Sequence, residues 1–495
     1  MHATRSEPAT LRHLSIVLLV VLIATFIVRN LPWHLDDYDQ AKQAFVSFEM
    51  VENGQWWFQH TPSDRVATKP PLAGWISAGL YLAFGGHGWE FAWRLPSFAA
   101  TLMLLAMLWR CGNELAGPRG ALIAGCAFGF NLLTPHLATL VRTDMLLTLL
   151  IFVAGWLVFE KVRRAEAWTR RERLWLSLAV LGSLLTKGPI LYAFLLPGLV
   201  VYSILVRRSG QPNHAWAGWT PWFAPLLAFA LWVGIGLWMS RDFYEQVVLK
   251  EFLGRFDMRD APVHKHQPLW FYVPHLLHKW APWSVALLAL AGDRRTRAHW
   301  RGNPALLWLA CWTFGGLVFM SLVPSKRVDR IFPIIPPLCL LVAALAEQWF
   351  CAPDRRRARL MIALVLVSGV VCTGYAISTA ALAFREDRRG LVRFGYGARK
   401  LASARPERLA VVDSDDEGLL LYTGKTKFTK IEAALRGWQS GALDWLIIGK
   451  KDLREHELEF GSAMHSREAP PFKGPRDHYF LLERSRATTD APANL

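Results

Sequence analysis

Long apolar runs separated by short polar gaps dominate the chain from residue 13 to about residue 382. About 20 apolar residues are enough to cross a bilayer as a helix. Runs near that length fall at 13–30, 90–110, 118–138, 145–160, 174–186, 190–206, 220–240, 270–291, 304–323, 330–350 and 358–382. The pattern predicts an α-helical polytopic membrane protein with about 11–13 transmembrane helices. Residues 72–86 are apolar but short and rich in glycine, so an interfacial or re-entrant piece is expected there. Ahead of them, Ala41, Ala44, Phe45, Phe48 and Val51 recur at helical spacing, which suits a helix lying in the membrane interface. Asp39 is placed to cap it, and Trp56, Trp57 and Phe58 suit the headgroup level.

After about residue 385 the pattern changes to short apolar runs of strand length. Leu409–Asp413, Trp445–Ile448 and Tyr479–Leu482 read as buried strands, with helical stretches near 416–422 and 430–437. The expected organisation is a membrane domain over 1–384, with 31–88 as its first outer loop. A small α/β domain follows over 385–486, and 487–495 form a disordered tail. No internal repeat is evident.

Composition agrees with the membrane reading: 53% of residues are hydrophobic and only 19% charged, against roughly 25% in soluble domains. The net charge of +17 raises the question of nucleic acid. The basic residues, however, sit in short clusters between apolar runs, as cytoplasmic loops do, so no nucleic-acid partner is expected. With about eleven crossings and a cytoplasmic N-terminus, every dense arginine cluster falls inside; a further crossing at 72–86 would put the heaviest ones outside. The first run lacks a small-residue cleavage site and is read as a retained signal anchor. The six cysteines lie in or beside apolar runs without a CxxC pair and read as buried hydrophobes.

The same parity puts Asp36, Asp37, Asp39, Lys69, Asp144, Lys187, Glu251, Arg255, His264, His266 and Lys326 on the outer face. Ionisable residues near membrane depth are costly and tend to be functional. Each also has a plain structural reading. Asp39 and Asp144 suit helix caps, Asp144 with Arg142 as a local partner, and Lys69 before Pro70-Pro71 suits a snorkelling lysine. Lys187, in Thr186-Lys187-Gly188-Pro189, occupies a turn so short that two helices must nearly touch. His264 and His266 are spaced i, i+2 with no third ligand in reach of the pattern, so no metal is indicated. No glycine-rich phosphate loop is seen either; no cofactor is certain, and a divalent metal is possible but not indicated.

The order of motifs resembles the polyprenyl-phosphate-dependent membrane glycosyltransferases of the GT-C type. These include the lipid A aminoarabinose transferases and the dolichyl-phosphate-mannose protein mannosyltransferases. The resemblance runs through Asp39-Gln40, Glu49-Met50, Lys69-Pro70-Pro71-Leu72, Thr143-Asp144, Lys187-Gly188-Pro189 and Glu251…Arg255-Phe256. It ends in His266…Pro268…Tyr272 and Lys326…Pro333, and covers roughly residues 10 to 350. Three positions depart from the pattern: Gln40 replaces a Glu, Thr68 replaces the Glu of the aminoarabinose enzymes, and Arg330 stands where Tyr is frequent.

The resemblance implies an inverting enzyme that moves a monosaccharide from a polyprenyl (undecaprenyl) phosphate carrier to an acceptor hydroxyl or phosphate. The acceptor, on lipid A, another glycan or a protein, would be met at the outer face of the bacterial inner membrane. The expected roles are Asp39 as base and Asp144 as second carboxylate. Lys69, Lys187, Arg255 and Lys326 hold the carrier phosphate, and His266, Glu251 and Asp37 contact substrate. The alternatives are a transporter or flippase of an anionic polyprenyl-linked sugar and a scaffold presenting the outer domain. The absence of a repeat and the one-sided charges favour the enzyme.

Overall fold

The computed structural model describes residues 9–30, 35, 38–86, 90–255, 266–294, 296, 303–350, 355–385, 389–414, 416–460, 464–469 and 478–484. Among them, seven helical stretches are long and apolar enough to cross a membrane, and three shorter apolar helices accompany them. The longest, Glu90–Gly129, is two helices joined at Ala116 and Gly117, where Gly117 takes φ +65° and Pro118 starts the second. That break divides the two spans expected there. The chain is a multi-pass membrane protein, and its outward apolar residues, such as Leu227 at 70% and Val370 at 73% exposure, are those a bilayer would cover.

The chain forms two compact units. The larger comprises Met1–Leu31, Val66–Ile76 and Arg94–Ala380. Its helices approach closely where small residues allow it. Gly155, in helix Asp144–Arg164, lies under the Trp312 ring of helix Pro304–Leu322, and the Trp308 indole donates to the Gly155 carbonyl at 3.1 Å. Gly198, in helix Ile190–Arg208, meets the backbone of Cys311 and Trp312; a Cβ there would sit 2.7 Å from both. Gly198→Val is therefore expected to destabilise the fold by about 1–3 kcal/mol, the usual cost of overpacking. A thermal midpoint in detergent equal to that of the wild type would contradict this packing.

One end of these helices is closed by ion pairs. Lys161 bonds Glu172 at 2.6 Å and Glu166 at 3.3 Å, and Arg163 bonds Glu160 at 3.0 Å and Glu114 at 3.2 Å. A capping box starts helix Arg170–Lys187: the Thr169 hydroxyl accepts from the Glu172 amide while the Glu172 carboxylate accepts from the Thr169 amide.

Two expected spans are shorter than the apolar pattern. The run 118–138 stops being one helix at Gly129 because the Asn131 side chain turns the chain. Its Oδ1 accepts from the Leu133 and Thr134 amides while its Nδ2 donates to the Ala127 and Phe128 carbonyls. The run 270–291 is split into Tyr272–Lys279 and Trp283–Gly292. There the Trp280 and Trp283 indoles donate to the Ala127 and Phe130 carbonyls and anchor the break.

The smaller unit comprises Pro32–Arg65, Ser77–Trp93 and Ala381–Leu495. It holds a four-stranded sheet in the order β1-β2-β4-β3, with β1 Leu409–Val411, β2 Trp445–Gly449, β3 Met464–Glu468 and β4 Tyr479–Arg484. β1 runs parallel to β2, while β2–β4 and β4–β3 are antiparallel. In register, Ala410 faces Leu446 and Leu446 faces Leu482; all three enter a core completed by Trp438 and Phe460. Helix Tyr38–Glu52 forms where the apolar spacing predicted one, with Ala41, Ala44, Phe45 and Phe48 buried inside the protein. It packs on helix Glu417–Thr423, and the Tyr422 hydroxyl accepts from the Leu35 amide at 3.0 Å. Tyr81 stacks on Trp93 and meets Phe48 edge-on. Trp57 is 66% exposed.

Candidate functional site

The larger unit gathers charge at one end of its helices. Helix Asp144–Arg164 begins at Asp144, and its antiparallel neighbour Arg170–Lys187 ends at Lys187, so the two side chains start side by side. Lys187 Nζ donates to Asp144 Oδ1 at 2.5 Å, with side-chain exposures of 9% and 7%. The pairing also suits both helix dipoles, with a carboxylate at an N-terminus and an ammonium at a C-terminus. Gly188, at φ +73°, and Pro189 then turn the chain into helix Ile190–Arg208. The turn is as tight as its sequence implies.

Further cations surround this pair. The charges of Arg142 and Lys69 act on the Asp144 carboxylate together with that of Lys187. Lys69 is half-buried ahead of Pro70-Pro71, on a stretch fixed by a 2.6 Å bond from the Val66 amide to Asp242. Arg142 also bonds Asp329 at 2.9 Å, and Arg327 approaches the other oxygen of Asp329 at 3.4 Å. Beside them Lys326, 6% exposed, donates to the Gln267 carbonyl at 2.9 Å, and burial pushes its ammonium below the ordinary lysine value. His266 bridges Ser325 in antiparallel fashion, and Arg330 holds the Ser325 carbonyl and hydroxyl at 2.9 and 3.0 Å. Four segments that are distant in sequence thus bring Lys69, Asp144, Lys187 and Lys326 into one unit.

The remaining residues have other settings. Glu251 lies on the π-helical stretch Tyr244–Phe252, and Arg255 ends the short 3-10 turn Leu253–Arg255; the Arg255 side chain lies outside the described residues. So do Asp36, Asp37 and His264. Asp39 belongs to the smaller unit and lies inside the first turn of Tyr38–Glu52, rather than before it as a cap would. Asp144 likewise heads its helix without serving as the cap, a position taken by Thr143. Further along Asp39's helix, Glu49 is 2% exposed and accepts from Asn53 Nδ2 at 3.0 Å and the His60 amide at 3.3 Å. Burial raises its carboxyl against those two bonds. Among the described residues, no group of three His, Cys, Asp or Glu side chains is placed to hold a metal ion.

A second carboxyl of the smaller unit gives a pH-dependent expectation. Asp416 caps helix Glu417–Thr423 by accepting from the Gly418 amide at 2.9 Å, and burial pushes its carboxyl up to about 6. The unfolded value is about 3.9, so the fold binds this proton more tightly than the unfolded chain does. The stability it lends is present below about pH 4 and is lost as pH rises to about 6. Asp416→Asn, which keeps a cap acceptor without the charge, is expected to flatten the unfolding midpoint over that range. A profile as steep as the wild type's would refute this.

The sequence reading did not single out Asp242 or Asp329. They lie in the short helical elements Arg241–Phe243 and Val328–Ile334, and nothing local marks their partners, which lie 176 and 187 residues away.

Comparison with known proteins carries the motif resemblance further. Residues 68–232 match the family model for dolichyl-phosphate-mannose-protein mannosyltransferase. The chain is 30% identical over 318 residues to the undecaprenyl phosphate-alpha-4-amino-4-deoxy-L-arabinose arabinosyl transferase of Erwinia tasmaniensis. That alignment covers 62% of this chain and 54% of the relative, so the chain spans little more than half of the relative's length. Among solved structures, ArnT of Cupriavidus metallidurans bound to undecaprenyl phosphate superposes with a TM-score of 0.71 at 17% identity, covering 96% of this chain and 99% of that one. The apo oligosaccharyltransferase of Archaeoglobus fulgidus follows at a TM-score of 0.54 and 10% identity, covering 90% and 71%. The fold is the one these two solved structures share.

Proposed function

We propose that this chain, built on the GT-C fold, is a glycosyltransferase of the bacterial inner membrane. It moves a monosaccharide from a polyprenyl (undecaprenyl) phosphate carrier to an acceptor hydroxyl or phosphate on lipid A, another glycan or a protein. The observation that carries this reading is the Asp144–Lys187 pair, set among Lys69, Arg142 and Lys326 at one end of the helices. An anionic headgroup attached to a long apolar tail is what such a cluster at a helix end can hold. An apolar cleft of about 430 Å³ between helices Ile190–Arg208 and Pro304–Leu322, lined by Pro197, Val201, Phe314 and Phe319, offers the tail a path. The ArnT structure was solved with undecaprenyl phosphate, the carrier proposed here.

In the proposed reaction the acceptor oxygen attacks the anomeric carbon and a new C–O bond forms there with inversion. The bond from that carbon to the carrier phosphate breaks, and its electron pair leaves with the phosphate. Where the acceptor is a hydroxyl, Asp39 takes its proton. The developing positive charge on the sugar is favoured by a carboxylate, and the charge gathering on the phosphate by Lys69, Lys187, Arg255 and Lys326. Asp144 keeps Lys187 in place and orients the acceptor; His266, Glu251 and Asp37 line the substrate. No bound metal has a step in this scheme. The site faces outward, with the N-terminus in the cytoplasm, residues 1–384 as the catalytic membrane domain and residues 385–486 on the outer side.

Proteoliposomes holding the protein and a panel of undecaprenyl-phosphate monosaccharides separate the readings. Transfer to an added acceptor, with loss of sugar from the carrier, is the expected result. Movement of intact carrier between leaflets without loss of sugar would favour a flippase and overturn the proposal.

A further inference from the structure

The charged cluster contains one carboxylate that the reaction does not use. Asp329 follows Lys326 by three residues, yet its partner is Arg142, two residues before Asp144. The bond is 2.9 Å long between side chains only 11% and 17% exposed, so solvent screens it weakly. The same carboxylate receives Arg327 on its second oxygen. Arg142 is held from its other side as well, since Ser97 Oγ donates to its carbonyl at 3.1 Å. The segment carrying Lys326 is in turn fixed by Lys326 to Gln267 and by Arg330 to Ser325. The Arg142–Asp329 bridge is therefore a direct polar tie between the segment that carries Asp144 and the one that carries Lys326.

We propose that Asp329 is a positioning residue: through Arg142 it fixes the spacing between Asp144 and Lys326, and so holds the two sides of the phosphate site in register. The inference rests on the function proposed above. It follows from the charges themselves. Arg142 already acts electrostatically on the Asp144 carboxylate. Without the Asp329 carboxylate, that guanidinium would still act on Asp144, which is bonded to Lys187. Releasing Arg142 would both loosen the Lys326 segment and disturb the Asp144–Lys187 pair. Misplacing a binding group by about 1 Å costs up to roughly 100-fold in rate.

The test uses the full-length protein in detergent and follows undecaprenyl-phosphate binding alongside transfer. Asp329→Asn is expected to weaken binding of the carrier about 10-fold and to lower kcat/KM by about 10- to 100-fold. Asp329→Glu, which keeps the charge, should recover most of both. Arg142→Gln should match Asp329→Asn, and the double variant should lose no more than either single one, because both remove the same tie. Additive losses, or unchanged binding and KM in folded Asp329→Asn protein with only a lower melting midpoint, would overturn the inference. A wild type that transfers no sugar but shows this binding pattern would remove the proposed reaction and leave the positioning role standing. A wild type that binds no undecaprenyl phosphate would remove both.

Discussion

Asp144→Asn is expected to abolish measurable transfer and to lower the stability of the membrane domain by about 3–5 kcal/mol, the usual cost of stranding one charge of a buried pair. The reason lies in the geometry: Lys187 would keep its ammonium in a position 9% exposed with its carboxylate partner gone. A loss this large has two components, which a second variant separates. Replacing both residues with leucine removes both charges, and buried pairs replaced by apolar residues are often neutral or stabilising. The double variant Asp144→Leu, Lys187→Leu is therefore expected to recover the melting midpoint while remaining inactive. Recovery of transfer along with stability would mean that the pair only holds two helices together.

Asp39→Asn is expected to reduce kcat by about 100- to 10,000-fold for a hydroxyl acceptor, the range for loss of a general base. Stability should stay close to the wild type's, because Asp39 is half-buried in the first turn of its helix. The carrier's Kd should also be unchanged, since the phosphate is assigned to the lysines. With a phosphate acceptor, already ionised, the same variant should lose far less. Comparing the two acceptor classes therefore reads the role of Asp39 directly. An equal loss with both would move the base elsewhere.

The membrane part of the fold was legible because apolar length is a local property. Runs such as 190–206, 220–240 and 304–323 became Ile190–Arg208, Thr220–Met239 and Pro304–Leu322 with shifts of one or two residues. Strands β1, β2 and β4 were visible for the same reason, being short buried runs. β3, Met464-His465-Ser466-Arg467-Glu468, was not: it is a largely polar edge strand paired to β4, and backbone pairing leaves no apolar signature in the sequence. Helix Gly390–Leu401 was hidden by its three glycines, although Leu391, Val392 and Ala398 form its buried face.

The site shows the same division. The turn after Lys187 announced itself through Gly188-Pro189, and the motif order pointed to Asp144 and Lys69. What the sequence withheld was pairing. Nothing in a one-dimensional pattern sets Lys187 against Asp144 rather than Arg142, or sends Arg142 to Asp329. Those choices are made when helices Asp144–Arg164 and Arg170–Lys187 pack and the 323–330 segment closes beside them.

The most direct measurement of the central claim is release of free undecaprenyl phosphate from an undecaprenyl-phosphate sugar by the purified protein, in step with glycosylated acceptor. The account predicts one carrier released per sugar transferred by the wild type, and almost none of either from a folded Asp144→Leu, Lys187→Leu variant. Release that continues in that variant, or sugar that reaches acceptor without release of carrier, would contradict it.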